Sequence, residues 1–150
     1  MIRIPLLKII HVTDTATLLT VFQIRKKVFV EEQKVPESEE YDEHENTARH
    51  FLAFFLDKPC GTARWRFTEK GVKLERFAVL KEFRGKGVGH GLVQEVLKDV
   101  RGHPSYSGQK IYLHSQTTAI PLYSKSGFKP VGGKFFECEI EHYKMELTCT

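Results

Sequence analysis

The segment from Phe77 to Gly91, FAVLKEFRGKGVGHG, constrains the fold of this chain more than any other. Val72 to Leu80 carries apolar groups at odd and even positions around Phe77, Ala78 and Val79. That pattern reads as a strand buried on both faces. Val88, Leu92, Val93, Val96, Leu97 and Val100 then fall on one stripe, which predicts an amphipathic helix over 87–100. Between the two stand Gly85, Gly87, Gly89 and Gly91. A helix that starts this way leaves its first N–H groups unpaired and aimed at one point. Glycines let a ligand approach the backbone closely. The helix dipole favours an anion there by about 0.3–1 kcal/mol per charge when exposed. Arg84 and Lys86 add full positive charges. The chemistry is that of a pyrophosphate cradle.

The spacing selects among cradles. A dinucleotide fingerprint needs G-x-G-x-x-G, but the sixth position is His90 counted from Gly85 and Leu92 counted from Gly87. A P-loop needs Gly, four residues, then Gly-Lys-Ser/Thr, and no such run is present. The pattern that fits is R-x-x-G-x-G, as Arg84-Gly-Lys-Gly87-Val-Gly89.

The remaining elements alternate. Leu6–Val12 reads as a strand, Thr13-Asp14 as a helix cap, and Leu18, Val21, Phe22, Arg25, Val28 and Phe29 as one face of a helix fading near Gln33. Phe51–Leu56 and Gly61–Phe67, joined by a turn at Asp57–Pro59, predict an antiparallel hairpin that continues into the strand at 72–80. Further strands are expected at Ile111–Leu113, Phe128–Val131 and Phe135–Leu147, with a short helix over Ala119–Ser126 closed by Gly127. The order βα-βββ-αβ-αββ predicts an α/β (α+β) mixed sheet with helices on both faces, in a single domain over 1–150. No run of about 18 apolar residues is present to span a membrane. Arg3 and Lys8 interrupt any leader-like apolar start. Cys60, Cys138 and Cys149 are odd in number and lack metal-type spacing, as expected of a cytoplasmic chain. His44, His50, His114 and His142 show no H-x-x-x-H spacing, so no metal is expected.

The net charge of +4 hides an asymmetry. Glu31 to Asn46 holds eight carboxylates and one lysine, a local −7, which leaves +11 for the rest. The positive remainder lacks aromatic residues interleaved with a basic stripe, so nucleic acid is not expected as a partner. The acidic run reads either as a solvated loop or as a surface for a cation.

R-x-x-G-x-G after such a strand resembles the acyl-CoA-binding signature of the GNAT superfamily of N-acetyltransferases. Downstream, Gln116-Thr-Thr-Ala119-Ile-Pro-Leu-Tyr123-Ser-Lys-Ser-Gly127-Phe128 resembles that family's N-x-x-A-x-x-x-Y-x-x-x-G-F pattern, with Gln for Asn at the first position. The first half is similar to a bacterial subgroup of ElaA/YjcF type, through Arg25, Val28, Phe29, Glu32, Gln33, Pro36 and the acidic Glu39-Glu40-Tyr41-Asp42. Glu45 stands where that subgroup tends to carry Asp. The resemblance implies a GNAT-like fold, its mostly antiparallel central sheet splayed between the fourth and fifth strands. It also implies acetyl-CoA as co-substrate and transfer of the acetyl group to a primary amine of a small molecule or peptide. The alternative is a non-catalytic acyl-CoA-binding sensor. No membrane partner is expected, and a homodimer is.

The resemblance also distributes roles. Backbone groups near Phe77, Ala78 and Val79 would pair with the pantetheine arm as if it were a strand. The N–H groups of Gly85, Lys86, Gly87, Val88 and Gly89 would hold the pyrophosphate, with Arg84 and Lys86 as further phosphate ligands and Gln116 on the cofactor side. Tyr123 stands at the position of the acid that protonates the leaving thiolate. Two groups are candidates for the base. Glu75 shares a face with Phe77 and Val79 and either reaches the cleft or pairs with Arg64 or Arg76. His114 ends a strand and is either a site residue or a structural one. On the acceptor side stand Glu32, Gln33, Glu40 and Asp42, and Arg25 on its apolar helix face needs a buried carboxylate.

Overall fold

The computed structural model describes residues 6–148; the start of the chain read above and Cys149 lie outside them. Seven strands form one sheet: β1 (Leu7–His11), β2 (Arg49–Phe55), β3 (Lys58–Thr68), β4 (Gly71–Val79), β5 (Ile111–Gln116), β6 (Phe128–Glu137) and β7 (Ile140–Leu147). Their order is β1-β2-β3-β4-β5-β7-β6. Every neighbouring pair is antiparallel except β4 and β5. That parallel pair holds only from Val72–Leu74 to Ile111–Leu113, after which the strands part. This is the splay expected between the fourth and fifth strands.

Helices cover both faces. α1 (Thr15–Arg25) starts at Asp14, whose carboxylate accepts the Thr17 N–H at 2.7 Å. Its Val21 and Ile24, with Val28 beyond, pack on Leu52 and Ala78. α3 (Val88–Gly102) buries its predicted stripe against Trp65, Leu74 and Leu113 on the other face. Each such side chain contributes about 1.5–3 kcal/mol when fully buried. α4 (Ile120–Ser124) lies beside α3 with Tyr123 inward.

Three local readings change. The helix read as continuous to Gln33 turns into a π-helix at Lys26–Glu32, where the Gln33 N–H bonds the Val28 carbonyl five residues back at 3.0 Å. The acidic run is not all loop, since Glu37–Glu40 forms one turn of helix, α2. The stretch Phe135–Leu147 is not one strand. Cys138 and Glu139, at φ 48° and 65°, make the two-residue turn between β6 and β7, while Gly132 sits in an irregularity of β6 between Val131 and Phe135. Two-residue hairpin turns need positive φ and usually advertise it with Asn or Gly; here neither residue does.

Candidate active site

The parting of β4 and β5 opens a cleft of about 800 Å³. Phe77 and Val79 line one wall, and His114 and Gln116 the other. Register determines what β4 offers. Its pairing steps from Thr62↔Ala78 to Arg64↔Glu75, so β4 carries one extra residue, Arg76, at φ 58°. Such a bulge re-aims the strand. Beyond it the Leu80 N–H bonds Cys60 on β3 at 2.8 Å, whereas the Val79 carbonyl accepts from Arg84 Nε at 3.0 Å on the open side. Alternation therefore turns the N–H and C=O of Phe77 and Val79 toward the cleft and those of Ala78 toward β3. Of the three β4 residues expected to meet the cofactor by backbone, Phe77 and Val79 turn theirs to the open side, where Arg84 occupies the Val79 carbonyl.

The glycines divide by cause. Gly85 and Gly87 have φ 77° and 84°, and a Cβ on either would meet open space. They are present for conformation. Gly89 and Gly91 are packing glycines: a Cβ would stand 3.2 Å from Leu122 and 2.6 Å from Leu7. The first intrahelical bond runs from the Gly91 N–H to the Gly87 carbonyl at 3.0 Å, leaving the N–H groups of Val88, Gly89 and His90 ahead of it. The Val88 side chain is buried in the core, so only its N–H faces the turn. Lys86 lies 5.6 Å from the centre of the Phe55 ring. Arg84 makes a two-pronged ion pair with Glu32, both contacts 2.6 Å. That hydrogen bond lowers the Glu32 pKa and raises that of Arg84.

A second bridge crosses the cleft, where the Gln33 and Gln116 amides bond each other at 2.7 and 3.3 Å. Tyr123 is buried and lines the cleft, its ring edge-on to Phe77 at 5.5 Å. Burial pushes its phenol pKa up. His114 Nδ1 lies 2.8 Å from Glu137 Oε1 at the end of β6. That bond, joined by nearby positive charge, lowers the Glu137 pKa. Glu75 takes the ion-pair alternative. Arg64 Nε donates to it at 2.7 Å and Arg66 Nε at 2.8 Å, with Lys73 Nζ at 3.4 Å. Burial alone would raise its pKa; these cations outweigh burial and hold it at about 2. A carboxylate so held is a poor proton acceptor at neutral pH.

Three carboxylates of the acidic run, Glu40, Asp42 and Glu45, face inward onto arginines, while Glu31, Glu32, Glu37, Glu39 and Glu43 are exposed. Arg25, fully buried, donates to Glu40 at 2.5 Å and to both oxygens of Glu45 at 2.8 Å. Arg64, also buried, reaches Asp42 at 2.7 and 3.0 Å and Glu45 at 2.8 Å. Arg76 lies 3.3 Å from Asp42 and 3.6 Å from Glu40. Burial would raise the Asp42 pKa, but Arg64 outweighs it and holds the group far below the usual carboxylate range. These three carboxylates therefore clamp the end of α1 to β3 and β4. Of the acceptor-side set Glu32, Gln33, Glu40 and Asp42, the first two line the cleft from the π turn, and Glu40 also borders it from inside the clamp. Asp42 is spent on arginine.

Residues 12–149 match the acetyltransferase (GNAT) domain. This chain belongs to the GNAT acetyltransferase family. It is 40% identical over 125 residues to the uncharacterized N-acetyltransferase YjcF of Bacillus subtilis, covering 83% of this chain and 87% of that one. Escherichia coli ElaA has a similar structure, with TM-score 0.80 and 26% identity over 95% of this chain and 98% of that one. A Bacillus subtilis acetyltransferase solved in complex with CoA shares the fold at TM-score 0.67 and 18% identity, covering 96% and 99% of the two chains. These likenesses agree with the ElaA/YjcF-type subgroup.

Within this GNAT chain the cleft gathers Tyr123, His114, Gln116, Gln33, Glu32 and Arg84 from both halves of the sequence. It also borders Glu137, Cys138 and His142, which sequence reasoning did not assign to the cleft. Their signal was out of reach because the β6–β7 turn that brings them there has no turn-like sequence.

Proposed function

We propose that this acetyltransferase uses acetyl-CoA and transfers its acetyl group to a primary amine by direct attack on the thioester. The edge of β4 at Phe77 and Val79, unpaired by any strand and running straight into the glycine turn, carries this reading. Pantetheine amides pair with that edge as a strand would. The N–H groups from Gly85 to Gly89 receive the pyrophosphate, and Arg84 exchanges Glu32 for a phosphate oxygen. The amine nitrogen bonds to the thioester carbonyl carbon, and the Val79 N–H stabilises the tetrahedral oxygen. As the intermediate collapses, the carbon–sulfur bond breaks and the Tyr123 O–H gives its proton to the departing sulfur. His114 takes the proton that the amine loses: Glu137 holds its Nδ1, which in that tautomer leaves the Nε2 lone pair free.

Thiol release from acetyl-CoA, followed while primary amines are added, tests the reading. Amine-dependent release with an acetylated product supports it. A chain that binds acetyl-CoA and leaves it intact with every amine is a sensor.

A further inference from the structure

On the sheet face beyond the reach of α1, a second cavity of about 440 Å³ adjoins the cleft. Four cations line it, Arg66, Lys70, Lys73 and Lys144, against one carboxylate, Glu69. Strand register gathers them: Arg66 pairs with Lys73, Lys73 with Tyr112, and His114 with Lys144, so these side chains share one face. The Thr68 and Tyr112 hydroxyls, 2.6 Å apart, stand among them, and Lys144 Nζ lies 5.4 Å from the centre of the Tyr112 ring. Glu75 stands behind Arg66 and Lys73 but is shared with Arg64, and Glu146 behind Lys144 is shared with Lys110. The carboxylates are oversubscribed, and the positive charge is left for an anion to meet.

Lys73 and His114 line both cavities. Beside His114 the cleft carries the opposite charge, in Glu137. One small molecule with an amine at His114 and an anion on the basic floor meets both. Adjacent strands stand about 4.8 Å apart, the length of a two- or three-carbon spacer. Resting on the acetyltransferase reading above, we infer that the acceptor is a short amine that also carries a carboxylate or phosphate, seated on Arg66, Lys70, Lys73 and Lys144.

The test measures thiol release with four matched probes: 2-aminoethyl phosphate, β-alanine, ethanolamine and 1,3-diaminopropane. At least one anionic probe is expected to exceed ethanolamine in kcat/KM by about tenfold, and the order of the two identifies the anion. Lys73→Gln with Lys144→Gln should reduce that ratio about tenfold through KM. Lys70→Gln with Lys144→Gln, which leaves the Glu75 partners intact, should reduce it in the same direction. Ethanolamine or diaminopropane used as well as the anionic probes overturns the inference and leaves the acetyltransferase reading standing. A second readout needs no turnover: inorganic phosphate titrated into the CoA-saturated protein and followed by NMR. Phosphate shifts on β3–β5 that vanish in the double variants support the site, and equal binding in wild type and variants overturns it. Absence of thiol release with every amine counts against the acetyltransferase reading, while the phosphate titration still decides the site.

Discussion

A phenol kept from water holds its proton, and burial pushes Tyr123 further in that direction. At neutral pH it is therefore protonated, as the proposed acid role requires. Tyr123→Phe should lower kcat by roughly a hundredfold, within the range of general acid catalysis, with the acetyl-CoA Kd changed less than twofold. Steady-state kinetics beside calorimetry measures both, and an unchanged kcat removes the role. His114→Gln should lower kcat/KM by roughly tenfold or more. Glu137→Gln should move it the same way by less, because the amide oxygen can still accept from Nδ1 and only the negative charge beside the ring is lost. Glu75→Gln separates charge from chemistry: its expected effect is on stability, since Arg64 then lies buried with one partner fewer.

The glycine turn and the strand before it were legible because their requirements are local: apolar runs for burial, glycines for conformation, a stripe for the helix. The turn's two kinds of glycine were not, since packing against Leu7 or Leu122 depends on distant elements. They predict different defects. Gly87→Glu places a side chain and a negative charge in the proposed phosphate cradle, so acetyl-CoA binding should vanish in a chain that still folds. Gly91→Ala crowds Leu7, so its Tm should fall while binding persists; thermal melts with and without acetyl-CoA distinguish the two. The π turn was hidden because Val28 and Phe29 fit either an α or a π spacing, and the Gln33 N–H to Val28 carbonyl bond that distinguishes them is a backbone contact no side-chain pattern announces. That turn carries Glu32 to Arg84. The pair is exposed and worth about 0.2–1 kcal/mol, so Glu32→Gln should tighten acetyl-CoA binding by no more than about fivefold, as a titration would show.

For the whole molecule the modest +4 resolves into two separate charge systems. Composition along the chain revealed the acidic run, but not that folding turns Glu40, Asp42 and Glu45 onto Arg25, Arg64 and Arg76. Those arginines are scattered over the helix and two strands, and only the β3–β4 register and the packing of α1 on the sheet bring them together. The clamp makes stability depend on acid. Glu75 falls from 4.5 to about 2 on folding, so it binds fewer protons folded than unfolded. Its contribution of about 3 kcal/mol is complete above about pH 4.5 and is lost as pH drops toward 2. Asp42 and Glu45, also lowered, act in the same sense, whereas burial raises the Glu40 pKa and that group acts in the opposite sense. Denaturant titrations at pH 7, 4 and 3 should show this loss, and Glu75→Gln should flatten it. The catalytic reading rests most directly on one assay, acetyl-CoA mixed with primary amines and followed by thiol release. Release that requires both the amine and an intact Tyr123 is the expected result. Acetyl-CoA bound and left intact with every amine would contradict it.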